Sequence, residues 1–397
     1  MLLLSTYGSA TAAIGGASGG PSTLVYLYGA HVTSWKNEHR EELLFVSSKA
    51  IFQPPTAIRG GIPIVFPQFS NLGPLKSHGF ARNRVWTIDN NPPPFPSKTI
   101  IGVFVDLLLK PTEEDLKIWP HRFEYRLRVT LGLKGDLMLT SRIRNTDIKP
   151  FNFTFSYHNY FSVSNISEVR VEGMKGLDYI DNTKNKTRFT ENGDVITINS
   201  KVNRIYLNTP EKLAILDLKK KQTITIQKDG LLDAVVWNPW EEKAKPIEDL
   251  GADDYKLMVC VEAAAIGKPI ILKPGKEWEF QSTIISSFFL LSLSQKSEKI
   301  NINTHHRSSK EQINIQILNT RIRQCPWPSS VTRLTIKNEN FEAFFDTHKK
   351  NKKATNKENN NSYKTSGLYT NSRPYRFEAL LLGLGTCTSK VGAHLLC

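Results

Sequence analysis

Phe123-Glu-Tyr-Arg-Leu-Arg-Val-Thr-Leu131 alternates apolar and polar side chains over nine positions. After the turn Lys134-Gly-Asp136, the run Leu137-Met-Leu-Thr-Ser-Arg-Ile-Arg-Asn145 does so less strictly. A period of two sends successive side chains to opposite faces of an extended chain, so the pair reads as a β-hairpin with one buried face. The same texture runs outward in both directions. Leu24-Val-Tyr-Leu-Tyr28 and His31-Val-Thr-Ser-Trp35 flank Gly29-Ala30 as two strands about a tight turn, and Pro92-Pro-Pro-Phe-Pro-Ser97 reads as a rigid loop. Phe151-Asn-Phe-Thr-Phe-Ser-Tyr-His158, Glu168-Val-Arg-Val-Glu172, Val195-Ile-Thr-Ile198, Leu213-Ala-Ile-Leu-Asp-Leu218 and Thr223-Ile-Thr-Ile-Gln227 are further strand candidates. The best helical candidate is the short Thr112-Glu-Glu-Asp-Leu-Lys-Ile-Trp119, with Thr112 as N-cap and acidic residues in the first turn. The fold class expected is therefore all-β, a sandwich whose curved strands leave a concave face for a ligand.

The formal charge of +15 over 397 residues is unevenly placed. Residues 291–397 hold 17 Lys and Arg against 7 Asp and Glu, leaving 35 against 30 for residues 1–290. The body is only mildly basic, which argues against nucleic-acid binding by the folded part. The tail is rich in Asn, Lys and Ser, as in Thr347-His-Lys-Lys-Asn-Lys-Lys353, and buries too little apolar area to offset its ordering entropy. The expected organisation is a flexible segment at 1–22, one sandwich domain at 23–290, and a disordered, low-complexity basic tail at 291–397. Cys325, Cys387 and Cys397 fall in that tail, which excludes a disulfide framework in the body. Cys260, in Leu257-Met-Val-Cys-Val261, reads as a buried, inert thiol. The N-terminus lacks the basic and sustained apolar regions of a secretory signal, and its Ser/Ala content leaves an organelle transit peptide open. No apolar run is long enough to span a bilayer. A cytoplasmic, monomeric protein without a membrane partner is expected.

Two segments concentrate chemistry. Ile58-Arg-Gly-Gly-Ile-Pro-Ile-Val-Phe-Pro-Gln68 and Ser77-His-Gly-Phe-Ala-Arg-Asn83 set Arg59, His78 and Arg82 among glycines and apolar residues. Burying an unpaired charge there is costly, so each arginine faces either a structural carboxylate or an anionic ligand. Glu262 ends the apolar run Leu257-Met-Val-Cys-Val261, where a carboxylate is paired, protonated or poised for catalysis. His158 sits in the aromatic run Phe155-Ser-Tyr-His-Asn-Tyr-Phe161, as either a core histidine or a catalytic one.

Together with Asp233-Ala-Val-Val-Trp-Asn-Pro-Trp240, Lys268-Pro269 and Leu272-Lys-Pro-Gly-Lys-Glu-Trp278, these segments resemble the glucose-6-phosphate 1-epimerase branch of the aldose 1-epimerase superfamily over roughly residues 20–285. The resemblance implies a galactose mutarotase-like β-sandwich and interconversion of the anomers of a hexose 6-phosphate. It makes Glu262 and His158 the catalytic acid/base pair, acting on the C1 hydroxyl and the ring oxygen from opposite sides of the sugar. Arg59 and Arg82 become phosphate ligands, and His78 contacts the sugar. Such proton exchange needs no metal and no cofactor. Two departures from the branch are Ser77, where many relatives have Gln, and Asn203, where they have Asp. The alternatives are a sugar-phosphate-binding module without turnover and a nucleic-acid-associated protein acting through its tail.

Overall fold

The computed structural model describes residues 2–6, 9–15, 19–94 and 101–288, together with six short strands between residues 302 and 395. It divides into two units, Met1–Ser292 and Leu293–Cys397. In the first, an eight-stranded and a nine-stranded sheet are built from antiparallel pairs, and neither closes on itself. The predicted hairpin lies in the larger sheet: Phe123–Gly132 pairs with Leu137–Asn145, with Tyr125 opposite Ile143. The short helix forms at Glu113–Ile118, and the Thr112 hydroxyl accepts from the Asp115 amide while the Asp115 carboxylate accepts from the Thr112 amide. That reciprocal cap satisfies two groups the helix leaves open.

One core fills the space between the sheets. Phe153, Phe155, Tyr157, Val261 and Ala263 of the smaller sheet meet Tyr125, Leu127, Ile143, Phe280 and Ile284 of the larger. The Phe155 and Phe280 rings approach to 4.4 Å, and Ser141 links the hydroxyls of Tyr125 and Tyr157 at 3.0 and 2.6 Å. Since alternate residues point inward, those between them on the smaller sheet point away from this core. Ser156, His158, Cys260 and Glu262 all have that parity.

Residues 9–15 depart from the expected flexible segment. Ser9–Gly15 is a strand paired with Ser22–Tyr26, and Ala12 and Ile14 are fully buried in the core. The small residues Ser, Ala, Thr and Gly hide this alternation, because they give little contrast in hydropathy. In the second unit, four strands form one antiparallel sheet and two more a hairpin. The expected disordered tail lies mostly outside the described residues. Among the described residues, no helix is long and apolar enough to cross a membrane.

A sharp backbone turn at Gly61 positions the arginine segment. Gly61 has φ +62°, and a Cβ there would meet the Val32 carbonyl oxygen at 2.2 Å. Its amide donates to Phe45 O, and its carbonyl accepts from the Tyr160 amide. The His158 amide donates to Pro63 O in the same seam. The close approach that only glycine allows thus stitches 59–63 onto 158–160 and sets Arg59 beside Tyr160. Gly61→Ala is expected to destabilise the first unit by more than the roughly 1–2 kcal/mol of the left-handed backbone alone, because the overlap with Val32 adds to it. Urea unfolding, with midpoint and slope compared against wild type, checks this.

Candidate active site

Strand register puts the two predicted catalytic residues face to face. Phe151–Tyr157 runs antiparallel to Met258–Leu272, with Tyr157 opposite Ala263, and Tyr160 lies opposite Cys260. His158 and Glu262 fall between those pairs on the face turned from the core. The pairing is not uniform: the partner jumps from Ile270, opposite Phe153, to Ala265, opposite Phe155. The long strand thus carries an odd excess of residues, and its inward parity changes from Leu272 and Ile270 to Ala265, Ala263 and Val261. A regular strand keeping Leu272 inward would have turned Glu262 into the core. Asp233 holds the irregularity, its carboxylate accepting from the amides of Ile266 and Gly267 at 2.8 and 2.7 Å and from that of Asn208 at 3.1 Å.

Nδ1 of His158 lies 3.2 Å from Oε1 of Glu262, close but too far off line to count as a hydrogen bond. Oε2 accepts from the Ser156 hydroxyl at 2.5 Å. His158 is 7% exposed and Glu262 only 1%. Burial pushes the Glu262 carboxyl up to about 8, against the Ser156 hydrogen bond and the Arg82 charge. Burial, then His78, Arg82 and Arg59, push His158 well below the usual imidazole range. At neutral pH the pair therefore holds one proton, carried by Glu262. The side-by-side placement corrects the expectation of groups on opposite faces of the sugar. It suits the chemistry, because the C1 hydroxyl oxygen and the ring oxygen are bonded to the same carbon.

Both arginines line a cavity of about 310 Å³ with Lys76, Ser77, Asn83, Tyr160 and Asp249. Arg59 Nε donates to Asp249 Oδ1 at 3.1 Å and Nη1 to the Tyr160 hydroxyl at 3.3 Å. Burial opposes its charge, but Tyr160 and Asp249 outweigh it and push its pKa up. Arg82 differs: Nη2 donates to the Ser77 carbonyl at 2.9 Å, while Nε is buried without a partner. Burial pushes its pKa down and Arg59 adds to the effect. Tyr160 joins cavity and pair, since its ring stacks on His158 at 4.6 Å and 11°.

His78 does not line the cavity. Its ring meets His158 edge-on at 5.5 Å, and Nδ1 accepts from the Ser70 amide at 3.3 Å. Burial, Arg82 and Arg59 lower its pKa to about 3, so it is neutral. Asn203 lies opposite Trp237, whose ring faces His158 at 5.8 Å, and its carbonyl oxygen accepts from Asn182. Cys260 is fully buried, and burial next to Glu262 pushes its thiol well up, as an inert thiol requires. Sequence reasoning gave no role to Ser156, Tyr160 or Asp249. Ser156 shares the parity of His158 and was legible in principle. Asp249 was not, because it reaches Arg59 from a loop 190 residues away.

A family model described as Aldose 1-epimerase matches residues 17–284. The chain belongs to the aldose 1-epimerase family. It is 64% identical over 256 residues to a Cenchrus ciliaris protein, covering 64% of this chain and 78% of that one. It is 32% identical over 240 residues to an Escherichia coli protein, covering 60% and 78%. Both relatives are named "Putative glucose-6-phosphate 1-epimerase". The crystal structure of a "putative mutarotase" from Salmonella typhimurium superposes with a TM-score of 0.63 at 28% identity, over 71% of this chain and 91% of that one. A galactose mutarotase related enzyme from Lactobacillus acidophilus, at 18% identity, TM-score 0.55 and coverage of 71% and 100%, shares the fold. The expected fold and enzyme class are thereby met: this aldose 1-epimerase is an enzyme of sugar anomer interconversion.

The raised Glu262 pKa has a consequence for stability. The folded state keeps a proton that the unfolded chain releases near pH 4.5, so this group's contribution is fullest below about 4.5 and is lost as pH rises through about 8. Glu262→Gln cannot ionise. Relative to wild type it is expected to gain stability steadily between about pH 5 and pH 8 and no further above, as thermal unfolding across that range would measure.

Proposed function

We propose that this aldose 1-epimerase interconverts the α and β anomers of D-glucose 6-phosphate, with Glu262 and His158 as the proton-exchanging pair and Arg59 and Arg82 as ligands of the 6-phosphate. The observation that carries the substrate class is Arg82. It is a cation with no ion-pair partner among the described residues, its Nε is buried and unbonded, and it lines the same cavity as a second arginine. A phosphate dianion offers oxygens matched to two guanidinium forks and relieves their mutual repulsion. The names of the relatives point the same way.

In ring opening, one member of the pair takes the proton from the C1 hydroxyl. The C1–O5 bond breaks with its electron pair moving to O5, which takes a proton from the other member. The product is the open-chain aldehyde, and the pair still holds one proton. Rotation about C1–C2 presents the other face of the carbonyl, and reclosure reverses both transfers. Each residue therefore serves as acid in one direction and as base in the other, which a pair sharing a single proton permits. By resemblance, Glu262 takes the C1 hydroxyl proton and His158 protonates O5 on opening, which uses the form of the pair with its proton on His158; the resting form, with the proton on Glu262, serves the reverse transfers of ring closure. His78 stands behind His158 as a neutral ring that fixes its position.

Glu262→Gln and His158→Ala are each expected to lower the anomerisation rate of α-D-glucose 6-phosphate by about two orders of magnitude or more, with a much smaller change in KM. Polarimetry or NMR exchange above the spontaneous background measures this. A Glu262→Gln protein retaining most of its rate removes that residue from the mechanism. Arg59→Ala or Arg82→Ala should raise KM for glucose 6-phosphate by about ten- to a hundred-fold, as expected for a lost charge-assisted contact of roughly 1.5–3 kcal/mol. If wild type turns over free glucose equally well, and neither arginine variant alters that ratio, the chain is a free-sugar mutarotase.

A further inference from the structure

The arginine cavity is coupled to His158 along two separate routes. On one side, Arg59 Nη1 donates to the Tyr160 hydroxyl, and the Tyr160 ring lies flat on His158. On the other, Arg82 bonds the Ser77 carbonyl, and the next residue, His78, sets its ring edge against His158. Each arginine is thus one side chain away from the imidazole that exchanges a proton.

The cavity's charge is unbalanced. Arg59 and Arg82 face a single carboxylate, Asp249, which is already spent on Arg59. We propose that phosphate bound between Arg59 and Arg82 activates the proton exchange at His158 and Glu262, so that the substrate's own phosphate switches on the site as well as anchoring the sugar. This inference rests on the functional reading above and adds a catalytic role to the phosphate.

The reasoning is electrostatic. The groups facing His158 are Glu262 from Met258–Leu272, Tyr160 beside it, the uncharged Trp237 from Asp233–Asn238, and His78 and Arg82 from the segment after Gln68. Arg59, with Asp249, lies beyond Tyr160. Burial is the largest influence keeping a proton off His158, and since His78 is neutral, the two arginines supply the positive charge that adds to it. The one-proton pair then rests as neutral His158 with protonated Glu262, and the form with imidazolium and carboxylate, needed for the opposite direction, is held high in free energy. A dianion between the arginines cancels the net positive charge that Arg59, Arg82 and Lys76 hold over Asp249, and brings the two forms closer together. Both directions of transfer then become accessible, as a reversible exchange requires.

The test supplies sugar and phosphate as separate molecules. The full-length protein is assayed for anomerisation of free α-D-glucose at increasing inorganic phosphate, with protein-free rates subtracted because phosphate itself catalyses the reaction in solution. Inorganic sulfate serves as a second dianion of weak basicity. Phosphate is expected to accelerate the protein-dependent rate about ten-fold and saturably, with half-maximal effect at the concentration at which it half-inhibits glucose 6-phosphate turnover. It should also shift the alkaline limb of the glucose pH–rate profile upward. In Arg82→Gln the saturable acceleration should fall to near none. If phosphate competes with glucose 6-phosphate yet leaves the glucose rate unchanged or lower, activation is overturned while the substrate reading stands. Failure to turn over glucose 6-phosphate at all overturns both.

Discussion

The register between Phe151–Tyr157 and Met258–Leu272 is the constraint on which the rest depends. An antiparallel pair with one face buried has two possible parities, and only one places Glu262 outside the sandwich. The irregularity between Ile270 and Ala265 selects it, and Asp233 satisfies two of the amides that the break leaves without a ladder partner. Glu262 is thereby carried on a strand whose inward residues are packed against a second sheet, so its position is as rigid as the core.

Magnitudes show why that rigidity serves chemistry. Moving the Glu262 pKa from 4.5 to about 8 corresponds to roughly 5 kcal/mol against ionisation. A hydrogen bond to a charged group is worth about 1.5–3 kcal/mol, so the Ser156 hydroxyl does not undo the effect of burial. The carboxyl consequently shares the near-neutral range in which an acid can also act as a base. An exposed carboxylate would lie far from it. The cost falls on stability, and the broad aromatic core around Phe155, Tyr157, Trp278 and Phe280 offsets it.

The two arginines illustrate the opposite choice. Arg59 is fixed by Asp249 and Tyr160 and reads as a residue held in place before any ligand arrives. Arg82 is anchored through one nitrogen to a backbone carbonyl and keeps a buried nitrogen unmatched. Such a group is costly without an anion. One rigid cation and one under-satisfied cation make a site that favours a dianion over a neutral sugar edge.

Much of this was legible in the chain itself. Period-two runs such as Phe123–Leu131 fixed strands and hairpin, because alternation is a local property of an extended backbone. The Thr112 cap was equally local. Glu262 and His158 stood out because a carboxylate and an imidazole inside apolar runs need an explanation wherever they fold. Alternation failed at Ser9–Gly15, where small residues carry no contrast, and at Met258–Ile266, where both faces of a central strand are buried. Only the tertiary structure decided which face Glu262 takes, because that depends on a break in register set by Asp233 from another strand. It alone brought Asp249 to Arg59 and left Arg82 unmatched. Pairing across 190 residues leaves no periodic trace in sequence, since it is set by how sheets and loops close in space.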